Sequence, residues 1–124
     1  MLLFEYGIIR LMPRVERQEF VNVGIVFSCQ QKRHLCCDYV LDVPRLQAFS
    51  PVFDADYLAF VEQHLQAFAG VCEGKGALGA LPLRERFHWL CAPRSTILQV
   101  SPVHSGVGED LAASLEHLMN TLVR

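Results

Sequence analysis

The ten residues from Phe20 to Cys29, FVNVGIVFSC, constrain the fold more than any other stretch. Val21, Val23, Ile25, Phe27 and Cys29 occupy one set of alternate positions; Phe20, Asn22, Gly24, Val26 and Ser28 occupy the other. A period of two belongs to a strand, because successive side chains leave a pleated backbone on opposite sides. The first set is expected to face the core. Gly24 leaves room on the other face for a bulge or a close approach, with Asn22 as a polar group beside it.

The strand needs partners, and its neighbours in sequence supply them. Leu2 to Met12, LLFEYGIIRLM, alternates with Phe4, Tyr6 and Ile8 on one face and Ile9 and Leu11 on the other, until Pro13 removes a ladder donor. Both faces are apolar, so this strand is expected in the interior or partly covered by a second copy of the chain. After Gln30-Gln31-Lys32 the residues RHLCCDYVL repeat the period through Leu35, Cys37, Tyr39 and Leu41, which predicts an antiparallel hairpin.

The pattern then changes to helical spacing. Asp42-Val43-Pro44 begins a short helical turn, an acceptor followed by a residue of fixed φ. Ser50-Pro51 or Asp54 opens a longer helix whose stripe is Tyr57, Val61, Leu65 and Phe68, widened by Leu58 and Phe60 and stopped near Gly70. His64 sits among these apolar neighbours and is expected to be packed or half-exposed rather than a ligand. The glycine-rich EGKGALGAL is read as a surface loop, since no G-K-[ST] follows it to make a phosphate loop. Pro82 precedes a short helix, LRERFHWLC, ended by Ala92-Pro93. Thr96 to Val100 reads as a last strand, SPVHSGVG as a turn, and Leu111, Leu115, Leu118 and Leu122 as a closing helix with Glu109 and Asp110 at its positive end. The chain is therefore expected to be a single α+β domain spanning residues 1–124, with a mainly antiparallel sheet covered by helices in the order β-β-β-α-α-β-α.

Composition narrows the function classes. Hydrophobic residues make up 52% and charged residues 19%, which excludes a disordered, charge-rich chain. A net charge of -2 gives no general field to attract nucleic acid or an anionic membrane, so neither is expected as a partner. Arg10, Arg14 and Arg17 cluster, but Glu16 and Glu19 are interleaved with them, and the group reads as a solvated turn. Five cysteines without C-x-x-C spacing argue against a disulfide framework or a standard zinc site, and for reduced, packed thiols in the cytoplasm. No metal or cofactor is expected. The N-terminal apolar run is broken by Glu5 and Arg10, too short for a membrane span.

The candidate site is the stretch Arg86 to Gly106, which holds Arg86, Arg94, Ser95, Thr96, Ser101, His104 and the only Trp, Trp89. Guanidinium forks, hydroxyl donors and an imidazole suit phosphate or carboxylate. The bland reading is that Ser95 and Thr96 satisfy loop backbone, that Arg94 pairs with a carboxylate such as Glu19, and that His104 braces its loop. Trp89 and His88 could stack a base if exposed, but a lone Trp beside Phe87 and Leu90 reads as core. No H-x-E, H-E-x-x-H or G-x-S-x-G pattern supplies an activated nucleophile or a metal site, so catalysis is not the expected mode.

Taken together, EFVNVGIVFSC, RFHWLCAPRSTILQVSPVHSG and the closing helix resemble the bacterial family catalogued as domain of unknown function 3037. The resemblance spans nearly the whole chain and implies a polar signature at Glu19, Asn22, Arg86, Arg94, Ser95, Thr96, Ser101 and His104. It also implies a protein partner, an accessory or antitoxin-like role beside a HipA-like kinase. Val107-Gly108 departs from the Thr or Ser cap expected in relatives. The reading that follows is an uncharacterised cytoplasmic protein acting as a non-enzymatic interaction or regulatory module through a surface near Arg94 and His104. A homodimer is compatible with the two-faced first strand. The alternative is a phosphate- or nucleic-acid-binding protein, or a phosphoester-acting enzyme, using Arg94 and His104.

Overall fold

A computed structural model describes residues 1–93 and 96–124. Strand β1 (Leu2–Arg14) ends in a 3-10 turn at Val15–Arg17 and returns antiparallel as β2 (Glu19–Cys29), followed by β3 (His34–Tyr39). Helices α1 (Val43–Phe49), α2 (Ala55–Cys72), α3 (Gly76–Gly79) and α4 (Leu83–Cys91) follow, then the short strands β4 (Leu98–Val100) and β5 (His104–Gly108) and the closing helix α5 (Leu111–Leu122). The expected α+β class with a mainly antiparallel sheet is what the chain adopts. Among the described residues no helix is long and apolar enough to cross a membrane.

The helices start where their sequences provide an acceptor. Asp42, Asp54 and Asp110 each accept a backbone N–H three residues on, from Arg45, Tyr57 and Ala113, satisfying one otherwise orphaned donor of the first turn. Asp110 therefore does the work of the Thr or Ser cap that Val107-Gly108 lacks.

The sheet runs β3-β2-β1-β4, with β5 also on β1. The free edge of β1 is thus shared, β4 pairing with Ile9 to Leu11 and β5 with Leu2 to Tyr6. Between these two short strands the chain turns through Ser101, which carries the pairing across the break. The Ile8 N–H donates to Ser101 Oγ at 2.8 Å, the Ser101 N–H donates to the Ile8 carbonyl at 2.8 Å, and the Ser101 hydroxyl donates to the Pro102 carbonyl at 2.9 Å. Ser101 is buried, so water does not offer these groups an alternative.

The expectation of a single core-facing set on β2 is corrected by a bulge. Ile9 pairs with Gly24 and Arg10 with Asn22, leaving Val23 as an extra residue on β2. Such an insertion reverses the phase of the pleat. Val21, Val23 and Val26 consequently join Ile9, Leu11 and the inner faces of α1, α2 and α4. Ile25, Phe27 and Cys29 join Phe4 and α5 on the opposite side. Two cores result, one on each face of the sheet.

The segment SPVHSGVG, expected to be only a turn, contains β5. Its glycines fit under an aromatic ring: Gly106 lies opposite Phe4, and a Cβ there would come within 2.7 Å of ring atoms. The ring covers backbone that a side chain would have screened. The loop expected across EGKGALGAL likewise holds one helical turn, α3.

Replacing Ser101 with Ala leaves the Ile8 N–H without its acceptor at a buried position. The expected loss is about 1–3 kcal/mol in urea unfolding, and a loss indistinguishable from zero would show that the strand crossover holds without this hydroxyl.

Candidate functional site

An apolar groove lies where α2, α4 and β4 meet. Along α2, Leu58, Val61, Leu65 and Phe68 point inward and are buried. Phe60 and His64 sit one turn apart on the flank of that stripe, where a helix places i and i+4 neighbours together. Their rings are 4.5 Å apart, and His64 Nδ1 donates to the Phe60 carbonyl at 3.0 Å. His64 is therefore exposed and braced against its own helix rather than packed in the core. Opposite stand Trp89 of α4 and the Thr96-Ile97-Leu98 segment entering β4. Together they line a groove of about 390 Å³. Phe60 and Trp89 are 51% and 39% exposed, large aromatic surface left in water beside a concave apolar floor.

The sequence-expected site residues that the structure describes do not converge on one place. Thr96 lines this groove, with its Oγ1 donating to the Leu98 carbonyl at 2.8 Å. Glu19 lines a different cleft and pairs with Arg17. Asn22 lines a third cavity; its Nδ2 donates to the Leu122 carbonyl at 3.0 Å near the end of α5. Ser101 holds the crossover described above. Arg86 is spent on backbone: Nε donates to the Leu81 carbonyl at 2.9 Å, and Nη1 to the Val71 and Cys72 carbonyls at 3.1 and 2.9 Å. It thereby satisfies the last carbonyls of α2 with a cation at the helix's negative end. His104 is exposed on β5, opposite Tyr6 in register and stacked on it with ring centroids 5.4 Å apart. Arg94 and Ser95 lie outside the described residues.

Three residues depart from the sequence expectation. Phe60 was expected to widen the buried stripe of α2 and Trp89 to be core, yet both line the groove. The signal for Phe60 was its phase, one position short of Val61 and off the buried set. Arg10, grouped with a solvated turn, lies inside β1 with its guanidinium carbon 4.3 Å from the centroid of the Phe20 ring, a cation over a π face.

Among the described residues no group of three or more His, Cys, Asp or Glu could hold a metal ion. All five cysteines are free thiols. Burial, helped by the nearby Asp38 charge, pushes the Cys36 thiol up to about 11. Burial pushes Cys72 up to about 12, with Cys36 adding to the shift and Arg86 opposing it. Burial also raises Cys37 well above the usual thiol range, with Cys72 and Cys36 as further contributors. Thiols held protonated in this way are packing groups rather than nucleophiles.

A raised folded-state pKa stabilises the fold below the ordinary thiol value of 9.0, and that stabilisation is lost as pH climbs toward about 11 for Cys36 and about 12 for Cys72. The gap in thermal midpoint between the wild type and Cys72→Ala is expected to shrink from about pH 8 to about pH 10.5. A gap independent of pH would show that this thiol titrates alike in both states.

A family model described as "Protein of unknown function (DUF3037)" matches residues 6–123 of the 124-residue chain. Neither the curated proteins nor the solved structures contain a match.

Proposed function

The chain belongs to this DUF3037 family, and from that premise we propose that it is a non-enzymatic interaction or regulatory module that seats an apolar side chain of a protein partner in the groove between α2, α4 and β4. One observation carries the reading: two aromatic side chains, Phe60 and Trp89, stand more than a third exposed at a groove whose floor is Val61, Phe68 and Leu98. Exposed aromatics beside a concave apolar surface are the usual anchors of protein interfaces, since they bury large area for little lost rotamer freedom. The polar groups at the groove, Thr96 and His64, already bond to carbonyls within the chain and leave the lining apolar in character.

The partner is a protein segment presenting a bulky apolar residue. A HipA-like kinase, the partner implied by the family resemblance, is the first to test, and a second copy of this chain is the alternative. Thr96 is the member of the polar signature that lines this groove; Arg94 and Ser95 adjoin it in sequence, and Glu19, Asn22, Arg86, Ser101 and His104 lie outside it. Five free thiols fit the reducing cytoplasm. The phosphate or phosphoester reading through Arg94 and His104 rests on the sequence alone, and is tested by comparing the wild type with His104→Ala in a phosphodiesterase and nuclease screen.

Replacing Phe60 with Glu puts a charge on the rim without disturbing the buried stripe. Loss of one aromatic anchor costs about 2 kcal/mol, roughly thirtyfold in affinity for the kinase. The expected result is loss of co-purification at moderate salt, with Arg94→Glu giving a smaller loss that depends on ionic strength. Capture unchanged in Phe60→Glu removes the groove as the docking surface, and self-association lost in that variant assigns the groove to a second copy instead.

A further inference from the structure

The end of β1 and the end of α1 enclose a cleft of about 280 Å³ that shares no lining residue with the groove. Its two walls differ. One carries Arg14 and Arg17 with Glu19; the other carries Phe49, Ser50 and Val52. Gln18 holds the first wall in shape. Its backbone is left-handed at φ 57, and both its N–H and its side-chain Nε2 donate to the Val15 carbonyl, at 3.2 and 2.8 Å. This tight reversal returns Glu19 beside Arg17, whose Nε donates to Glu19 Oε1.

The charges in the cleft are unequal. Arg17 has the Glu19 carboxylate, while Arg14 has no carboxylate within ion-pair distance among the described residues. Two guanidinium groups thus share one internal anion. Both members of the Arg17–Glu19 pair are more than half exposed, at 59% and 52%, so solvent screens their attraction and an incoming anion displaces the carboxylate at little cost. The opposite wall supplies the Phe49 ring, 40% exposed, and the apolar Val52.

We propose that this cleft binds a phosphate monoester carried on an apolar group, and that Glu19 is its resident competitor, occupying Arg17 until the phosphate replaces it. A carboxylate would only repeat the contact Glu19 already makes. A phosphate dianion carries enough charge and enough acceptor oxygens to face Arg14 and Arg17 together, each through a planar fork of donors. The apolar group then lies on Phe49. This assignment gives Glu19 a role of its own, separate from the groove.

The test measures binding of phenyl phosphate to the full-length chain by calorimetry at low salt, with inorganic phosphate and benzoate as comparisons. Phenyl phosphate is expected to bind most tightly of the three. Glu19→Gln is expected to tighten it roughly three- to tenfold by removing the competitor, and Arg14→Gln to weaken it about tenfold or more. Phe60→Glu leaves it unchanged, which separates this site from the groove. No binding to either the wild type or Glu19→Gln overturns the proposal, as does binding that Arg14→Gln leaves intact while circular dichroism shows a folded protein. Equal binding of benzoate overturns the choice of phosphate, and equal binding of inorganic phosphate overturns the part given to Phe49.

Discussion

Everything in this fold is hung on the two edges of one strand. Leu2–Arg14 pairs with β2 along one side and with β4 and β5 on the other. Because the second side is served by two short segments, the chain has to break between them without leaving buried backbone groups unpaired. Ser101 solves this with one hydroxyl that accepts from Ile8 and donates to Pro102. That junction fixes where β4 leaves the sheet, and so where Ile97 and Leu98 meet α2 and α4. The groove is a consequence of it.

A sheet so paired is covered on both faces. α2 and α4 close one side over Ile9, Leu11 and Val26, and α5 closes the other over Phe4, Ile25 and Phe27. The two proposed surfaces lie where this cover stops. At the α2–α4 boundary the leftover surface is aromatic; at the junction of β1 and α1 it is basic. The two differ in which forces they can use, burial at the first and charge at the second, and only the second is weakened by salt.

Much of this was legible in the chain itself. The period of two in β1, β2 and β3, the acceptors Asp42 and Asp54 ahead of their helices, and the leucine stripe of α5 are local signals that tertiary structure did not override. What escaped was set by distant partners. β5 has a turn-like composition, and only Phe4, more than a hundred residues earlier, makes His104–Gly108 a strand. Arg86 looked like a ligand group because guanidinium chemistry is the same whether it meets a phosphate or a helix's last carbonyls. The expected site joined one contiguous stretch to residues implied by the family resemblance, yet Glu19, Asn22, Thr96 and Ser101 line four separate cavities. Trp89 was misread because a helix of nine residues has too few turns to show which flank is left bare.

The bulge at Val23 changes how the sheet guards its own alignment. With apolar residues on both faces of β2, a slip by one position would expose no greasy side chain to water, so solubility cannot distinguish the right pairing from the wrong one. Bulk does so instead. A Cβ at Gly24 would lie 2.6 Å from the Asp38 carbonyl oxygen and 2.8 Å from Tyr39 Cβ, and either valine or isoleucine beside it would bring a whole branched side chain into that gap. Mispaired hairpins are thus rejected by collision, and the one residue without a side chain sets the frame in which all the others are read.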